Sequence, residues 1–121
     1  MQWMNLQDDD PLKVYLRELA NIQPLTKDEE SKLCRQLGNQ DEQPELAARR
    51  LIESKLSLVV TIAERHSSSG VPMLDLIQEG NSGLMTALKT FAQEPIDDFS
   101  VHAATCIEDA ISKAIVESRT K

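Results

Sequence analysis

The chain is cut into short runs by breaks, and these constrain its fold more than any other feature. The stretches "QPLT" from Gln23, "NQDEQP" from Asn39, "SSSGVP" from Ser67 and "AQEPIDD" from Ala92 each gather proline, glycine or short polar residues. Such clusters end regular structure, because proline lacks an amide donor and the others favour turns. Between the breaks, apolar residues recur at the spacing of one buried helix face, and alternating strand patterns are hard to find. Asp10 and Pro11 form an N-cap and a first helical position, followed by Leu12, Tyr15, Leu16 and Leu19. Thr26 and Glu29 have capping-box spacing and open a second helix through Leu33 and Leu37, with Gly38 as its stop. A third helix is expected from Glu45 to about Ser67, with Leu51, Leu58 and Ile62 among its apolar positions. The fourth carries Leu74, Ile77, Leu84, Leu88 and Phe91 as its stripe. The fifth should run from about Ser100 to Val116, with Ala104, Ile107, Ile111 and Ile115 on one face. The expected fold is therefore all-α, a compact bundle of about five helices in residues 10–121, behind a flexible tail of residues 1–9.

Composition agrees. Apolar residues make up 40% of the 121 residues and aromatics only 3%, so the core must be Leu, Ile, Val and Ala, which suits packed helices. Lys and Arg number 13 against 20 Asp and Glu, a formal charge of −7. That balance argues against strong general affinity for nucleic acid. It suits a partner with a basic docking surface, although solubility explains it equally well. Cys34 and Cys106 make no CxxC motif and are expected reduced and half-buried, as in a cytosolic protein. Asp8, Asp9 and Asp10 interrupt any signal-like start, and no apolar run nears the ~20 residues of a membrane span. The expectation is a cytoplasmic protein without membrane contact. The two histidines, His66 and His102, sit in separate segments without HxxxH or HExxH spacing. A site built from His66, His102, Cys34 and Cys106 has no supporting spacing, so no metal, cofactor or catalytic residue is expected.

Gly80 and Gly83 interrupt the fourth helix within one turn. Each costs roughly 1 kcal/mol relative to alanine in a helix. Glycine lets another backbone approach closely, which suits a tight crossing by the long third helix. Asp75, Gln78, Glu79 and Asn81 fall largely off the apolar stripe, with Met85 at its edge. They are either an ordinary wet face or a surface that docks on a partner.

The order of residues bears on that choice. "LIESKLSLVVTIAERHSSSGVPMLDLIQEGNSGLMTALKTF" closely resembles the second region of bacterial sigma factors of the housekeeping class, with "DLIQEGNSGLM" as its specific signature. "DPLKVYLRELANIQPLTKDEESKL" resembles the helical segment preceding that region. On this resemblance residues 10–38 are the preceding segment and residues 45–116 the second-region helices. It implies that the fourth helix docks on the helical coiled coil in the clamp of the largest subunit of core RNA polymerase. Carried over by position, the contacts are Leu74, Asp75, Gln78, Glu79, Asn81 and Met85.

The resemblance also shows what has changed. The family's next helix begins "FSTYATWW", and its aromatics trap bases of the promoter's melted strand. Phe99 and Ser100 are kept, but His102 stands at the tyrosine position and Thr105 and Cys106 at the two tryptophans. Glu108 and Asp109 occupy basic and amide positions, and Asp97 and Asp98 lie in a turn that is normally basic. From Lys89 to Lys113 no Lys or Arg intervenes, whereas Glu94, Asp97, Asp98, Glu108 and Asp109 do. The implied module docks on polymerase while promoter DNA binding is weak or absent, which leaves room for a regulatory protein partner. The other reading is the N-terminal part of a divergent sigma factor that still binds promoter DNA.

Overall fold

The computed structural model describes residues 10–38, 44–93 and 98–120, and every regular element among them is helical. The elements are α1 (Pro11–Ala20), α2 (Lys27–Leu37), α3 (Pro44–Glu64), a single 3₁₀ turn (Ser67–Ser69), α4 (Met73–Gln93) and α5 (Phe99–Arg119). The protein is all-α, as the spacing predicts.

Local chemistry starts the first two helices where the sequence places them. Asp10 Oδ1 accepts from the Leu12 amide at 3.0 Å, with Pro11 behind it. Thr26 and Glu29 form a reciprocal capping box: Thr26 Oγ1 accepts from the Glu29 amide at 3.1 Å, and Glu29 Oε1 from the Thr26 amide at 2.9 Å. Asp98 caps α5 by accepting from the Ser100 amide. Gly38 ends α2 at φ −91°, so it stops the helix without using the left-handed region; Gly70, at φ 92°, does use it, after the serine turn.

α5 lies most extensively on α4, and α3 packs against both. The core formed there includes Leu51, Val59 and Ile62 from α3, Leu76, Ile77 and Leu84 from α4, and Ile107 and Ile111 from α5. Burying each such side chain fully contributes roughly 1.5–3 kcal/mol. Phe91 and Phe99 meet edge to face, centroids 5.3 Å apart, and join the end of α4 to the start of α5.

The periodicity and the structure agree on the faces and differ by one residue at several positions. Leu76 is buried where Leu74 is only half-buried, Ala103 is buried rather than Ala104, and Val59 rather than Leu58. Leu88 is half-buried at the core margin, and Leu16 is exposed. Helix faces are wide enough that the residue beside a stripe can win the central position.

Both glycines lie at close helix crossings. A Cβ on Gly80 would stand 2.7 Å from Val59 Cγ1 of α3 and 3.1 Å from Ile111 Cδ1 of α5. One on Gly83 would stand 2.6 Å from the Cys106 carbonyl oxygen and 2.8 Å from Ala110 Cβ. The expected crossing by α3 thus holds for Gly80, whereas the closest backbone approach, at Gly83, is made by α5.

α2 is tied in by charge. Lys55 Nζ of α3 meets Glu30 Oε1 at 2.6 Å, both side chains largely covered, and Ser100 Oγ of α5 donates to Glu30 Oε2 at 3.0 Å. One carboxylate therefore links three helices.

Candidate functional site

The outward face of α4 follows from its inward one. With Leu76, Ile77, Gly80, Gly83, Leu84 and Ala87 buried, the rows through 74, 78, 81 and 85 and through 75, 79 and 82 lie on the other side. Asp75, Gln78, Glu79 and Ser82 are exposed, and Met85 keeps 51% of its surface accessible. Neither Asp75 nor Glu79 joins an ion pair among the described residues. Carboxylates and an amide around an exposed methionine make a surface able to accept from arginines around a small apolar anchor. Leu74 is half-buried at the edge of this face.

Asn81 is placed differently from its neighbours. Its Nδ2 donates to the Tyr15 hydroxyl of α1 at 3.4 Å, while its Oδ1 is buried without a partner among the described residues. Part of this side chain is therefore spent on packing, so Asn81 belongs only in part to the outward face. Nothing in the sequence pairs Tyr15 with Asn81, because they are 66 positions apart.

The DNA-facing set divides. Asp97 lies outside the described residues. Thr105 and Asp109 are exposed, and Asp98 is exposed while capping α5. His102, Cys106 and Glu108 are half-buried and each has a side-chain partner. His102 Nε2 lies 2.7 Å from Thr90 Oγ1 and 3.8 Å from Cys106 Sγ. Cys106 is half-buried at the α4–α5 crossing, and burial together with the Asp109 charge raises its thiol pKa, so it is held as the thiol. Cys34 is half-buried too, its thiol raised by burial and by Glu30. Glu108 turns toward α3, where its Oε2 meets His66 Nε2 at 2.5 Å and accepts from Ser112 Oγ at 3.0 Å. The inward lean has a physical cause: Gly83 draws the α5 backbone onto α4 at Cys106, which turns positions 102 and 106 toward the interface.

The histidines are thus held by separate partners, and among the described residues no group of three or more His, Cys, Asp or Glu side chains gathers as metal ligands would. No described helix is long and apolar enough to cross a membrane. A cleft of about 390 Å³ between α2 and the α4–α5 junction is floored by Phe91 and Phe99 and edged by Lys27, Glu30 and Arg35.

The comparisons with known proteins agree with this arrangement. The family Sigma-70 region 2 matches residues 51–120, and Sigma-70 factor, region 1.2 matches residues 10–43. The chain belongs to the sigma-70 family, carrying its region 2 with region 1.2 ahead of it. RNA polymerase sigma factor SigA of Lactococcus lactis subsp. cremoris is 42% identical over 113 residues, which is 93% of this chain and 31% of the relative. SigA of Listeria monocytogenes is 41% identical over 109 residues, 90% of this chain and 28% of its own length. RNA polymerase sigma factor RpoS of Coxiella burnetii is 41% identical over 115 residues, 94% of this chain and 32% of the relative. The chain spans less than a third of the length of these relatives.

Proposed function

We propose that the chain is a transcription-initiation module that docks on core RNA polymerase through the exposed face of α4 and no longer melts promoter DNA. Its partner surface is the clamp coiled coil of the largest subunit. The observation that carries this reading is the free polar face: Asp75, Gln78 and Glu79 are exposed and held by no ion pair, beside an exposed Met85. A solvated helix face would also be polar; the exposed Met85 among these residues and the signature "DLIQEGNSGLM" favour docking. Leu74 supplies an apolar edge, and Asn81 is held at the border of the face by Tyr15.

The docking assignment is tested by a pull-down with core polymerase. Replacing Gln78 and Glu79 together with lysine should weaken capture at least tenfold, equivalent to about 1.4 kcal/mol, with unchanged helical circular dichroism. Equal capture of the double variant and the parent would end the assignment.

The second half of the reading rests on α5. Thr105 and Cys106 offer no aromatic platform, and the ring of His102 is engaged with Thr90. Base stacking on aromatics is worth ~1–3 kcal/mol per base, so the loss removes a large part of single-strand affinity. A module that occupies the clamp without melting DNA would act as a competitor or a regulator.

A further inference from the structure

Beyond the serine turn, a groove of about 320 Å³ separates the end of α3 from the C-terminal half of α5. Its walls carry Arg65, His66, Ser68, Ser69, Ser112 and Arg119. We propose that this groove binds a phosphate group, held between the guanidinium groups of Arg65 and Arg119.

The argument starts from charge. Acidic residues outnumber basic ones 20 to 13, so carboxylate partners are plentiful. The ion pairs of the described residues use Arg50 and Lys55, and leave Arg65 and Arg119, like several other surface cations, without one; what sets these two apart is that they share a groove. Two unpaired guanidinium groups line one concave surface, and each offers a planar fork of donors suited to a tetrahedral oxyanion.

Hydroxyls complete the lining. Ser69 Oγ accepts from the Val71 amide, so its own proton is free to donate, and Ser68 is exposed beside it. The carboxylate that would oppose an anion is Glu108, and it is already occupied by the His66 ring and the Ser112 hydroxyl. Asp109 lines the neighbouring groove, which Arg65 also borders, but makes no ion pair with that arginine.

A plainer role exists for Arg119, since a cation in the last turn of a helix complements its dipole. That role accounts for neither Arg65 nor the shared groove.

The proposal stands apart from the docking assignment, because it uses none of the α4 residues. The test is a titration of the 121-residue chain with inorganic phosphate at constant ionic strength, followed by amide chemical shifts, with chloride as the control salt. Saturable shifts confined to residues 65–70 and 112–119 are expected. R65A and R119A should each weaken binding about tenfold while leaving shifts elsewhere in place. Shifts that chloride reproduces, or that persist unchanged in the R65A/R119A double variant, would overturn the site.

A second arm identifies the source of the phosphate. Displacement by a short DNA duplex of unrelated sequence would assign it to a nucleic-acid backbone. Phosphate binding that the duplex leaves untouched would assign it to a small phosphorylated molecule. The Gln78/Glu79 double-lysine variant should bind phosphate normally, which separates failure of this site from failure of docking.

Discussion

Gly83 is the residue on which the α4–α5 interface depends most. A methyl group there would press on a backbone carbonyl, 2.6 Å from the Cys106 oxygen, and a carbonyl cannot rotate away as a side chain can. At Gly80 the nearest atoms are side-chain methyls of Val59 and Ile111. Alanine would recover roughly 1 kcal/mol of helix propensity at either position, against about 1–3 kcal/mol for overpacking. G83A should therefore be a net loss of up to about 2 kcal/mol in urea denaturation, and G80A a smaller one. A more stable G83A would mean that α5 can shift away freely. The same crossing explains why position 106 is no simple surface site. A tryptophan there would have to displace α5, whereas exposed Thr105 has room for one.

At the scale of single helices, capping decides where each begins. The capping box of α2 lies on the surface and is built from local residues, so it was readable from "TKDE" alone. It also carries a pH dependence. The Thr26 backbone amide, and then its hydroxyl, hold the Glu29 carboxyl below its ordinary value of 4.5. A carboxyl lowered in the folded state adds stability above its unfolded pKa, and that contribution disappears as pH falls through the folded value. The start of α2 should accordingly be unaffected near neutral pH and loosen below about pH 4. Hydrogen exchange of the first α2 amides measures this, and E29Q should remove that acid-dependent loosening. T26A should cost about 1 kcal/mol at neutral pH. α2 has no fully buried residue, so this cap and the Lys55–Glu30–Ser100 link carry an unusual share of its attachment.

Across the whole molecule, two surfaces of one bundle have separate chemistry. The α4 face is polar and without an ion pair among the described residues, while α5 carries no large aromatic at positions 102, 105 and 106 and has Glu108 and Asp109 beyond them. We expect no saturable binding of a single-stranded, promoter-like oligonucleotide by the chain in fluorescence anisotropy, at low salt or high. Tight, sequence-selective binding would instead favour a divergent sigma factor that reads promoter DNA. In a restoration series, T105W should be accepted by the fold. C106W should lower stability by about 1–3 kcal/mol, as insertion into a packed interface does. Regaining oligonucleotide affinity thus requires adjusting the α4–α5 crossing as well as adding rings.

Periodicity and breakers were enough for the helices, their order and their inward faces, because helix-forming and helix-ending chemistry is local and every apolar stripe needs cover. The signature "DLIQEGNSGLM" was enough for the family and for the α4 face, since residues three and four apart on a helix share a side whatever surrounds it. Contacts between distant segments were not legible. Tyr15 meets Asn81 across 66 positions, Glu108 turns to His66 across 42, and Ser100 reaches Glu30 across 70. Each depends on how far two helices slide and rotate against one another, which packing between distant segments decides. The residue types at 102, 106 and 108 suggested an open acidic surface; the tertiary structure gave all three partners, His102 and Cys106 at the α4–α5 crossing that Gly83 keeps close and Glu108 at His66 beyond the end of α3.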